Sequence, residues 1–160
     1  MTSKVYSRFE IAVTQLEAAI GLYVSNRDKF SVITLAGAAN TIFCGLLIKS
    51  GKETFTDSLF KERSEKYEGQ LSPEEFRSSI NNLLGINHLK HLDPDQPDSF
   101  EMEPNESALA TLLMALTNYV SIPEHDQQLF HIFKVWAQIN LDKTKYNVNL
   151  DPNWVRPEPN

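Results

Sequence analysis

The stretch VITLAGAANTIFCGLL, residues 32–47, decides the fold. Its side chains Val32, Leu35, Ala36, Ala39, Ile42, Phe43, Leu46 and Leu47 return at steps of three and four, the spacing that gathers residues on one face of an α-helix. A half-buried strand would alternate instead, and this stretch does not. The run Ala36-Gly37-Ala38-Ala39 carries so little side-chain bulk that another helix can approach its backbone closely. The pattern ends near Ser50-Gly51, where a glycine suits a helix C-terminus.

The same period extends to both sides of this segment. Upstream, Phe9, Val13, Leu16, Ile20 and Tyr23 mark a long amphipathic helix over 4–25, separated from the next by the polar break Asn26-Arg27-Asp28-Lys29. Downstream, residues 52–70 mix charges of both signs around a few apolar groups and read as a short helix and a mobile connection. Ser72-Pro73-Glu74-Glu75 combines a capping serine, a proline for the first helical position and a glutamate three residues on. A third long helix is expected to follow, with Phe76, Ile80, Leu83, Leu84, Asn87 and His91 on one face. Residues 93–105 hold three prolines and no apolar period, as a loop would. Leu109, Leu112, Leu113, Leu116, Tyr119 and Val120 mark a fourth helix, and Pro123 is expected to open another with Leu129, Ile132, Phe133, Trp136 and Ile139 on its face. Trp136 thus reads as core. Residues 141–160 read as an extended tail, with Pro152, Pro157 and Pro159 as rigid points and Trp154 placed to dock on the bundle or on another chain. The expected fold is all-α, an antiparallel bundle of four to five principal helices, with one domain over 1–140 and a tail over 141–160.

Length and charge narrow the function. A chain of 160 residues with 41 % apolar content can build one core, and is too short for two independent catalytic domains. The formal charge of −6 opposes long-range attraction to nucleic acid or an anionic membrane. The imbalance lies in residues 91–160, where four Lys/Arg face eleven Asp/Glu. The single cysteine, Cys44, permits no intramolecular disulfide and, between Phe43 and Leu46, reads as a small buried hydrophobe. Arg8 and Glu10 interrupt the apolar stretch that a signal peptide would need, and no apolar run approaches the length of a membrane span, so a soluble cytoplasmic protein is expected.

The expected third helix passes from apolar groups into Asn87 and His91, polar residues where a core stripe would continue. One account is a helix end leaving the core, with Asn87 as a cap and His91 beside the helix dipole. The other is a polar pocket or partner-facing surface built from Asn87, His88 and His91.

At Ile86-Asn87-His88-Leu89-Lys90-His91 the chain resembles the HEPN superfamily, helical-bundle proteins whose hallmark is an arginine, a few intervening residues and a histidine, often with Asn directly after the arginine. Asn87 and His91 match that pattern. From Leu16 through Leu35-Ala36-Gly37-Ala38-Ala39 to the motif, the sequence is also similar to a group of small bacterial HEPN-like proteins, over most of residues 8–140. In active members the resemblance implies metal-independent RNA cleavage, with the histidine moving protons and the arginine stabilising charge on the phosphate. An imidazole suits the first task and a guanidinium the second. Here Ile86 stands at the arginine position, and losing even one donor to a developing oxyanion costs about 10² to 10³ in rate. Lys90 is a candidate substitute, although on a helix it points about 100° away from His91.

The segment after the motif carries Asp93, Asp95, Asp98, Glu101, Glu103 and Glu106 with no Lys or Arg between them, a surface that repels RNA and suits a basic protein partner. It is not a calcium loop, because Asp98 and Pro104 occupy the places that need glycine and glutamate. His88, His91, His125 and His131 lack the companions of a known metal site, so no metal and no cofactor is expected. The leading expectation is a non-catalytic HEPN-like protein acting by association, as a homodimer with its Asn87/His91 end near the interface. The alternatives are a weakened or rewired ribonuclease using Asn87, Lys90 and His91, and a small-ligand regulator with a cavity between helices.

Overall fold

The computed structural model describes residues 3–66, 71–149 and 153–155 and is all-helical. Among the described residues there are six helices: α1 (Arg8–Val24), α2 (Lys29–Lys49), α3 (Phe55–Lys66), α4 (Pro73–Leu83), α5 (Pro104–Val120) and α6 (Gln127–Asn140). The segment expected to be a short helix is α3, a full 12 residues long.

Side-chain caps set the helix starts. Ser7 Oγ accepts from Glu10 N at 3.0 Å while Glu10 Oε2 accepts from Ser7 N at 3.0 Å, so α1 begins at Arg8 rather than near residue 4. Asp28 caps α2 by accepting from Ser31 N at 2.9 Å. The expected capping box of Ser72 and Glu75 opens α4, with Pro73 in the first turn. Glu103 caps α5, so the prolines of the acidic loop end at Pro104 as the first residue of that helix. Asp126 Oδ1, accepting from Gln128 N at 2.8 Å, caps α6. The expectation that Pro123 opens this helix is corrected: Pro123 sits in a turn in which His125 N donates to Ile122 O.

The chain divides into two compact units, Met1–His125 and Asp126–Asn160. The first is a helical bundle in which α2 packs along both α1 and α5, and α1 also touches α5. Leu16, Val32, Ile33, Ala36, Ala39, Phe43, Leu112 and Leu116 are fully buried there, and Phe43 lies 5.5 Å from the Tyr119 ring. By length and composition α2 is apolar enough to cross a membrane, yet its buried residues are packed within the bundle. At Gly37 the close neighbour is not a helix but Ile86, whose Cγ2 would stand 3.0 Å from an added Cβ.

The division differs from the expected 1–140 and 141–160, because α6 groups with the residues that follow it. Within that second unit Phe133 stacks on the half-buried Trp136 with centroids 5.9 Å apart. Gln138 Nε2 donates to Val148 O at 3.4 Å, and Asp142 accepts from Thr144 N and Tyr146 N. Residues 142–146 therefore form a hydrogen-bonded turn where an extended tail was expected. Trp154 is half-buried, and Pro152, Pro157 and Pro159 lie outside the described residues.

Candidate functional site

The motif segment owes its position to how α4 ends. Gly85 adopts φ +74°, Gly85 N donates to Asn82 O at 3.0 Å, and Ile86 N reaches back to Asn81 O at 2.9 Å. These two bonds make a Schellman close, with glycine in the left-handed residue that stops a right-handed helix. The expectation of one helical face running from Phe76 through Leu84 to Asn87 and His91 is corrected accordingly. An added Cβ at Gly85 would also lie 2.9 Å from Met102 Cε, a contact that the flexible end of the Met102 side chain can relieve, so the left-handed φ is what calls for glycine here.

Beyond Gly85 the chain makes a short irregular turn, with Leu89 N donating to Gly85 O and His91 N to Asn87 O. Asn87 Nδ2 donates to Asn82 Oδ1 at 2.7 Å, which ties the turn to the end of α4. His88 stacks on Phe100 with centroids 4.7 Å apart and rings 23° from parallel. Lys90 and His91 are exposed, and no regular helix fixes the angle between them. Ile86 points the other way: it is 3 % exposed and packs on Gly37 of α2. The position that the HEPN resemblance matches with arginine is therefore a core position. Leu83, Leu92 and Phe100 are exposed apolar groups in and beside this turn, and Asp93, Asp95, Asp98, Glu101 and Glu103 are exposed along the following loop.

A second concentration of polar groups, which sequence reasoning missed, lies inside the first unit. Asn118 on α5 is 1 % exposed. Its Nδ2 donates to Asn40 Oδ1 at 2.7 Å and approaches Cys44 Sγ at 3.4 Å, while its Oδ1 accepts from Phe55 N at 2.8 Å. Asn118 thus joins α2, α5 and the first residue of α3. Next to it, Thr54 donates through N and Oγ1 to Asp57 Oδ2, and Asp57 N donates back to Thr54 Oγ1 at 3.2 Å. Arg77 Nη2 of α4 donates to Asp57 Oδ1 at 3.0 Å, and Arg77 Nε is buried without a hydrogen-bond partner.

The chemistry of this cluster is structural. Burial pushes the Cys44 thiol up to about 11, so it stays protonated near neutral pH and is a poor nucleophile. Burial also raises Asp57, but the hydrogen bonds from Thr54 and Arg77 outweigh it and hold the carboxyl below its ordinary range. Among the described residues, no three His, Cys, Asp or Glu side chains come together as a metal site.

A cleft of about 480 Å³ opens between the start of α1 and the end of α2. Phe9, Leu46, Leu47 and Ile122 give it an apolar lining, beside the exposed Lys52 and Glu124, and Lys52 Nζ donates to Ser121 O at 3.2 Å. Comparison with known protein families, with curated proteins and with solved structures finds no match.

Proposed function

We propose that this protein is non-catalytic and works by association, as a cytoplasmic homodimer, and that its likeness to HEPN proteins is one of scaffold rather than of chemistry. The observation that carries this reading is Ile86. Because it is packed on Gly37, a phosphate-binding charge has no place to stand at the matching position of the turn. His91 is left at the surface next to a run of exposed carboxylates that opposes a polyanion. What the turn does present is apolar: Leu83, Leu92 and the stacked pair of His88 and Phe100, groups suited to contact with protein.

Two measurements test it. Purified protein is titrated against labelled RNA at two salt concentrations without added metal, and its mass is measured by light scattering. The expected result is no cleavage, no salt-dependent binding, and twice the 18.2 kDa chain mass. Cleavage that His91→Ala abolishes would instead favour the ribonuclease alternative, and a monomer at tens of micromolar would end the association reading.

The cleft beside Phe9 and Leu46 favours one second reading, a small-ligand regulator. Its mark would be a rise in melting temperature with an amphiphilic ligand that Leu46→Glu removes.

A further inference from the structure

We infer that the cleft between the start of α1 and the end of α2 binds an alkyl carboxylate, with the chain on its apolar floor and the head group at Lys52. This rests on the small-ligand reading above and names the class of ligand. A volume of about 480 Å³ lies within the range of small-molecule sites, which join an apolar surface to a few polar groups. The floor is firmly packed: Leu47 and Ile122 are buried, and the half-buried Phe9 stacks on Tyr119 with ring centroids 6.1 Å apart. An alkyl chain laid on it gains by removing apolar area from water.

Charge decides the head group. Two helix ends meet at the rim, the N-terminus of α1 at Ser7 and the C-terminus of α2 at Ser50, and their dipoles oppose each other. Side chains therefore set the sign. Lys52 Nζ is held at the rim by Ser121 O at 3.2 Å, a neutral acceptor that leaves the ammonium charge uncompensated. Arg8 and Lys49 are exposed next in sequence to the lining residues Phe9 and Ser50, and among the described residues no carboxylate forms an ion pair with any of these three cations. Of the acids close by in sequence, Glu10 accepts from Ser7 N and Glu53 pairs with Lys61, and Glu124 is the one acid that lines the cleft.

The wider distribution has the same sign. Residues 1–52 hold six Lys/Arg against three Asp/Glu, a charge of +3, whereas the remaining residues hold nine against eighteen, a charge of −9. A small anion is drawn to this end of the chain. Glu124 opposes a second negative charge, so a carboxylate suits the rim better than a phosphate dianion.

Titration calorimetry on the full chain tests this with octanoate, octanol and octylamine, which share an alkyl chain and differ in the charge of the head. Octanoate should bind about three- to tenfold tighter than octanol, and octylamine more weakly than either. Added salt should narrow the gap between octanoate and octanol. Lys52→Met, at an exposed position, should bring octanoate down to the affinity of octanol and leave octanol unchanged. Octanol or octylamine binding as tightly as octanoate, or an octanoate affinity that Lys52→Met leaves intact, would overturn the carboxylate assignment while the small-ligand reading stands. Binding by none of the three would overturn both.

Discussion

The turn at 84–91 and the cluster around Asn118 hold similar polar groups in opposite settings. In the turn, Lys90 and His91 face water, and Asn87 bonds a neighbour from its own helix end. In the cluster, Asn118 is sealed from water and each end of its amide is committed to a different helix. A polar group at the surface exchanges its partner for water at little cost, whereas a buried one leaves its partner unsatisfied. The residues that look most like chemistry are therefore the ones the fold can spare, and residues belonging to no motif hold the helices in register.

That contrast is breakable, beginning with the largest effect. Ile86→Arg forces an unpaired guanidinium toward Gly37 and should cost about 3 to 5 kcal/mol in denaturant unfolding, without gaining RNA cleavage. A stable variant would mean that the position can turn outward, and would erase the difference between the two regions. Asn118→Ala strands both Phe55 N and Asn40 and should cost about 3 kcal/mol, and a double-mutant cycle with Asn40→Ala should show strong coupling.

Acid sharpens the comparison further. The Asp57 carboxyl lies below its ordinary value of 3.8, so its folded-state contribution is complete above that pH and is lost as pH falls through the lower folded value. Asp57→Asn should flatten that part of the acid unfolding curve. The smallest effect belongs to the motif: His91→Ala should change stability by no more than about 0.5 kcal/mol at neutral pH.

The helical class and most helix positions were legible because apolar residues at 3.6 spacing leave a pattern that any register of the bundle must bury. Ser72-Pro73-Glu74-Glu75 even gave the start of α4 to the residue. Its end carries a sequence signal too, since Gly85 follows Leu84 where a helix commonly closes. Because α4 stops there, Asn87 and His91 do not continue its apolar face. The start of α6 differs from the expectation for a related reason: Pro123 suits a first helical position, but the helix starts four residues later, where the Asp126 side chain makes the cap. Thr54 and Asp57 also carry a capping spacing that could have marked the start of α3. Asn40 and Asn118 left no such mark, because they are 78 residues apart and a lone asparagine within an apolar helix does not announce its partner.

The same distance in sequence governs when the cluster can assemble. Asn118 reaches Asn40 across 78 residues and Phe55 across 63, so both bonds close large loops and must await the docking of α5. By contrast, α1 and α2 are joined by a turn of four residues and can pair early. The amide bridge belongs to the final descent into the native state. Its loss should therefore steepen escape more than it slows arrival, so that Asn118→Ala lifts the unfolding limb of a chevron plot and leaves the refolding limb nearly in place.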